Sequence, residues 1–348
     1  MDDADRTESP AALPGRGRRR VTLSRLWTLL FLLLGFGLMA GLFVFQDVGE
    51  IANAIGRAGW GIAAVTLFHL IPVGLDAAGL GAVIPREQRP SHARLFGIQW
   101  ITEAINQLLP VAQIGGEFIK TRLLVIARVP ALQAGASVVV NLTLGILTQA
   151  IFAVIGVVIL ILQYGRNGDA TVHAAIGAGI ILASVAVFYL AQRIGLFSLI
   201  ARFVKALTRG REWLALVGGA GELDAMVAKV YRHRRAILRS IGFQLVSWLI
   251  GTGEVLLALH FMGHDVSLLD ALMIEALGQA VRSAAFLVPG SLGVQEGGYV
   301  LLGTAIGLSP ETALALSLIK RVRELALGLP GLVAWQVVEG RRWFMLRR

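Results

Sequence analysis

The chain has 348 residues, 56% of them hydrophobic and only 16% charged, with a mean hydropathy of +0.71 and a net charge of +10. A soluble domain carries about 25% charged residues, which excludes an ordinary cytosolic protein, and 7% aromatics with no recurring period-2 alternation disfavours an outer-membrane barrel. The absence of cysteine removes disulfide frameworks, thiolate zinc sites and cysteine nucleophiles; the positive charge lies in short loops between apolar blocks, so it reports topology and not nucleic-acid binding.

Residues 1–25 read as a disordered tail, with Asp2, Asp3, Asp5 and Glu8 near its start and a basic run behind them. Six segments have the roughly 20 apolar residues that a membrane helix needs: 26–45, 60–84, 131–162, 172–194, 237–262 and 310–338. The first is too long for a signal-peptide core and reads as an uncleaved anchor. Two further apolar stretches, 95–125 and 268–307, are broken by Pro and Gly and read as re-entrant helix–turn–helix units. The expected fold is an all-α polytopic membrane protein. It has about six spanning helices plus two re-entrant units in an inverted repeat, with 26–348 as a single membrane domain.

Orientation follows from Lys and Arg. The tail and residues 85–95, 119–130, 193–239 and 339–348 carry 26 of the 32, whereas the opposite loops hold only Arg57 and Arg166. Both termini are therefore expected in the cytoplasm. Residues 85–95 and 119–130 are both basic, so the chain enters and leaves on one side between them. Within 196–235, Leu196, Leu199, Ile200 and Phe203 recur at helical spacing, as do Leu223, Met226, Val227 and Val230. They read as two interfacial helices, placing 193–239 on an anionic leaflet; the alternative is a helical pair packed on the protein itself.

The two broken segments resemble each other. The first contains Glu103-Ala104-x-x-Gln107 and then Pro110 to Glu117; the second contains Glu275-Ala276-x-x-Gln279 and then Pro289 to Glu296. Each Glu lies seven residues after its proline. The flanking spans also correspond, making halves of 60–162 and 237–338 with opposite orientation. Inverted repeats with broken helices are a transporter architecture. Non-helical backbone cannot face lipid, so both turns are expected against protein or a wet cavity. Half-helices starting near Gly116 and Val294 would present positive dipole ends to an anionic headgroup.

The last span opens with Ser309-Pro310-Glu311, an N-cap, a first-turn proline and a first-turn acid. Ten residues later, about 15 Å deep, come Lys320, Arg321, Arg323 and Glu324. At roughly 2.5–3.5 kcal/mol per central charge they must point into the bundle. Pairing of Glu324 with Lys320 or Arg321 leaves positive charge in excess, which reads as a phosphate or carboxylate clamp; the alternative is structural pairing with Glu103, Glu117, Glu275 or Glu296. Arg282, close to Gln279, is expected to join this site. Asp76 and Glu254 are single acids in apolar helices, open to proton or ion coupling or to a structural hydrogen bond. Asn141, Thr143, Thr148 and Gln149 read as interhelical hydrogen-bond formers. His260, His264 and Asp265 read as solvated interface residues, so no metal and no cofactor is expected.

Four blocks, 99–117, 136–149, 278–298 and 315–324, resemble the flippase-like transmembrane region of lysylphosphatidylglycerol synthases, and within it stand-alone membrane proteins associated with hopanoid biosynthesis. The resemblance spans roughly 60–340. It implies a bacterial inner-membrane protein of lipid metabolism. No segment is long enough for the synthases' soluble aminoacyl-transferase domain, so that activity is not carried over. Three functions stay open. The leading one is a lipid-binding or lipid-translocating protein using Glu103, Gln107, Glu117, Glu275, Gln279, Arg282, Glu296, Lys320, Arg321, Arg323 and Glu324. The others are a membrane-embedded enzyme acting on a lipid and a scaffold for biosynthetic enzymes, although no catalytic motif is found. Expected partners are a membrane lipid and a second copy in a homo-oligomer.

Overall fold

The computed structural model describes residues 48–109, 115–164, 213–285, 288 and 291–345. The tail, the spans expected at 26–45 and 172–194, the helix expected from Leu196, and the turn prolines Pro110 and Pro289 lie outside the described residues. Those described are helical, with no strand among them. In chain order the α-helices are α1 (Val48–Ala58), α2 (Gly61–Phe68), α3 (Leu70–Ala82), α4 (His92–Leu108), α5 (Gly115–Ile126), α6 (Ala131–Tyr164), α7 (Trp213–Arg232), α8 (Arg234–Phe261), α9 (Leu268–Ala284), α10 (Val294–Ala305) and α11 (Pro310–Met345).

Local chemistry sets these ends. Ser267 caps α9 by accepting the Asp270 N–H at 3.1 Å, and Ser309 caps α11 by accepting the Thr312 N–H at 3.2 Å, each filling a donor that the first turn leaves open. Gly293, at φ +74°, turns the chain into α10 where a side chain would be strained. α2 and α3 run on through His69, whose N–H reaches the Val65 carbonyl and whose carbonyl takes the Val73 N–H. Among the described residues, three helical stretches are long and apolar enough to cross a membrane: Gly61–Ala82, α6 and α8. α11 is longer still, with its charges in mid-course and Pro330 inside it.

The span from α2 to α3 lies antiparallel to α8. Gly61 meets Phe261, Phe68 meets Gly253, and Gly79 meets Gln244, while the Ser247 hydroxyl donates to the Pro72 carbonyl at 3.1 Å. The broken units then exchange partners: α4 packs on α11, and α9 packs on α6. In each crossing the alanine of E-A-x-x-Q meets a glycine. A Cβ built at Gly331 would stand 2.6 Å from the Ala104 methyl, and one at Gly156 would stand 2.7 Å from the Ala276 methyl. Small residues let membrane helices approach, since lipid supplies no hydrophobic drive between them.

The apolar side chains form two clusters. Leu80, Leu95, Ile105, Leu124 and Leu144 anchor one, and Val65, Leu259, Ile274, Leu316 and Ile319 the other. The face of α7 carrying Val227 and Val230 is buried in the first cluster, with Leu223 and Met226 packed against it. Of the two readings open for that helix, packing on the protein describes this face.

Candidate functional site

α4 and α9 each carry one E-A-x-x-Q, and the i,i+4 spacing puts the Glu and Gln on one helix face. The Gln107 amide donates to Glu103 at 2.6 Å and the Gln279 amide to Glu275 at 3.0 Å. All four side chains line one cavity of about 260 Å³. The broken segments thus converge as their matching motifs suggest.

The charges of α11 point inward, as their insertion cost requires. Lys320 is 2% exposed and pairs with Glu275, its ammonium 5.7 Å from the centre of the Tyr299 ring. Arg321 meets Glu296 at 2.9 Å and Glu324 at 3.5 Å. Arg282 donates to Glu324. Arg323 reaches Glu254 of α8 at 2.5 Å and Glu324 at 3.5 Å. His69 completes the chain: its Nε2 is 2.6 Å from Glu103 and its Nδ1 is 2.6 Å from Glu254, with the Arg323 guanidinium 2.8 Å away. An ionic path therefore runs from Glu103 through His69, Glu254, Arg323 and Glu324 to Arg282, with Arg321 leading off to Glu296.

This arrangement corrects the expectation of surplus positive charge. Arg282, Lys320, Arg321 and Arg323 are each held by a carboxylate, because α8, α9 and α10 bring Glu254, Glu275 and Glu296 to them. Lys320 does not pair with Glu324 along the helix; it turns to Glu275. Glu117 does not join the cluster either. It pairs with Lys120 at 2.9 Å on its own helix; α5 packs on α4 and α6 and reaches α11 through Arg122 and Glu339, well past the charged segment. The half-helix starts are also partly filled. Asn106 accepts the Gly116 N–H at 2.8 Å, and Glu296 accepts the Gly293 N–H at 2.7 Å, which leaves less donor capacity there for an anion than the helix ends alone suggest.

A second cavity, about 270 Å³, adjoins the first. Asp76, Gln99, Asn106 and Trp248 belong to both walls. Glu117 and Lys120 line the second, whereas Glu296 lines neither and is fully buried against Arg321. Asn141 and Gln149 bond between helices as expected: Asn141 accepts from Gln244 at 3.1 Å, and Gln149 donates to the Gln279 carbonyl at 3.3 Å and to Ser283. Among the described residues no group of three potential metal ligands converges, and His260 makes an exposed contact of 2.8 Å with Asp265.

His69 is the residue of this cluster that sequence reasoning passed over. It and Asp76 are the only titratable residues in 60–84, seven apart and hence on one helix face. That spacing was the available signal.

The family model for the lysylphosphatidylglycerol synthase transmembrane region matches residues 32–331. The chain belongs to this family. No curated protein and no solved structure matches it. Membership makes the chain a membrane protein of lipid metabolism, and gives the polar interior described above a lipid context.

Proposed function

We propose that this protein sits in the bacterial inner membrane with both termini in the cytoplasm, and that it binds a lipid and carries its headgroup between leaflets. The hopanoid resemblance and the family together direct this reading to hopanoid or to anionic or aminoacylated lipid metabolism. The observation that carries it is the meeting of both E-A-x-x-Q units in one polar cavity between membrane-length helices. Ionisable groups inside a membrane domain are expensive and mark functional paths. The exchange of partners between α4–α11 and α9–α6 supports an inverted repeat whose broken helices are re-entrant, the architecture in which a central site is exposed to either side. The ionic pairs hold these buried charges to one another and fix the walls of the cavity.

A second reading is a membrane-embedded enzyme acting on a lipid. The observation favouring it is His69 held between two carboxylates at 2.6 Å each, a geometry suited to general acid–base chemistry. Reconstitution into liposomes with a labelled lipid separates the two. Exchange of label between leaflets supports translocation; a covalently altered lipid supports the enzyme; neither outcome leaves the lipid-handling role without support and overturns the proposal.

A further inference from the structure

We propose that the joined cavities take an uncharged, hydroxyl-rich headgroup, a sugar or polyol, in preference to a bare anion. This rests on the lipid-binding reading and names its substrate class. The cations lining the first cavity, Arg282 and Arg323, pair with Glu324 and Glu254, although the Arg323 Nε itself has no partner. A bare anion would have to break these buried contacts, and separating a buried pair leaves an uncompensated charge.

The remaining polar capacity of the walls is of another kind. Gln99 and Asn106 face both cavities, and Asn141, Gln149 and Gln244, already bonded in part to protein groups, add three more amides to the second. An amide offers both donors and an acceptor, which suits hydroxyls that also do both. The Gln99 carbonyl oxygen is buried with no partner, so this wall residue has an acceptor that no protein group uses. Asp76 also faces both cavities and makes no ion pair among the described residues. Its carboxyl group lies in hydrogen-bond contact with Ser247, and its remaining acceptor capacity suits a further hydroxyl. Trp248 lies at the junction, its indole N–H donating to Thr148 at 3.3 Å and its ring stacked on Phe152. This fixes a flat apolar surface beside the amides, as the CH faces of a sugar ring require. The two spaces, sharing four wall residues, together fall within the about 300–1,000 Å³ of small-molecule sites.

The test uses the full chain in detergent and three lipids with the same acyl chains: a monoglucosyl diacylglycerol, phosphatidic acid and unmodified diacylglycerol. Melting temperature against lipid concentration reports affinity, because a ligand of the folded state stabilises it. The glucolipid is expected to bind at least tenfold more tightly than either of the others, and Gln99→Leu to remove most of that preference. Should Gln99→Leu not fold, Trp248→Phe serves, and the wild-type ranking is decisive alone. Tighter binding of phosphatidic acid, or equal binding of diacylglycerol, overturns the proposal. If a lipid still changes leaflet in liposomes while the glucolipid shows no preference, only this inference falls. If no lipid binds or exchanges, the reading beneath it falls as well.

Discussion

Ala276 of α9 rests directly on Gly156 of α6, so close that a Cβ on the glycine would stand 2.7 Å from the alanine methyl. The same relation holds between Ala104 and Gly331. The second residue of E-A-x-x-Q is thereby explained: Glu and Gln line the cavity, while Ala sets how near α4 and α9 come to α11 and α6.

Overpacking either crossing should destabilise the protein. Gly156→Val and Gly331→Val are each expected to cost about 1–3 kcal/mol, read as a lower melting temperature in detergent. Gly97→Ala, where a Cβ meets nothing within 4 Å, is the control and should be neutral or slightly stabilising. Unequal behaviour of the two crossings, with one tolerant and one not, would remove the equivalence of the halves.

His69 joins carboxylates from α4 and α8. His69→Leu leaves Glu103 without the imidazole and should cost roughly 3–5 kcal/mol, the range for removing one member of a buried pair. Adding Glu103→Gln should recover part of the loss. A double-mutant cycle with no coupling between them would show that the contact contributes nothing.

Arg323 separates structure from function. Arg323→Gln strands Glu254, so loss of stability is expected; Arg323→Gln with Glu254→Gln should restore folding by removing both charges. Leaflet exchange should remain abolished in the folded double variant. Recovery of exchange would reduce this pair to a structural contact. Arg321→Gln with Glu296→Gln is the parallel experiment on α10.

Topology is open to direct labelling because the chain contains no cysteine. Asp265→Cys, at an exposed loop position, should react with an impermeant thiol reagent from outside intact cells. Glu87→Cys, in the exposed turn before α4, should react only after permeabilisation. The reverse pattern would overturn the orientation drawn from the charge asymmetry.

Much of the helical plan was legible from hydropathy, since a bilayer demands long apolar runs and prolines interrupt them visibly. The spans expected at 131–162 and 237–262 coincide with α6 and α8 within a few residues, and the breaks in 95–125 and 268–307 separate α4 from α5 and α9 from α10. Inward placement of Lys320 and Arg323 followed from insertion cost alone. Their partners did not. Lys320 and Glu324 have ideal spacing on one helix, yet Lys320 bonds to Glu275, because only the packing of α9 decides which carboxylate arrives. His69 was missed for a related reason: its spacing from Asp76 marks a polar helix face, but only the facing helix shows that Glu254 meets it. Glu117 and Glu296 match in sequence yet meet different partners, Lys120 and Arg321, since equal position in a repeat does not ensure equal neighbours.

Pro330 sits in α11 between Gly328, which meets Leu108, and Gly331, which meets Ala104. Having no N–H, it cannot bond the Ala326 carbonyl, and the next carbonyl, that of Leu327, accepts the Trp100 indole at 2.9 Å. The helix is thus weakest at the crossing with α4. Upstream of it, Lys320 to Glu324 are fastened to α8, α9 and α10. A bend at Pro330 sacrifices no backbone bond at that residue, so a kink at this crossing costs α11 less than one elsewhere along its length.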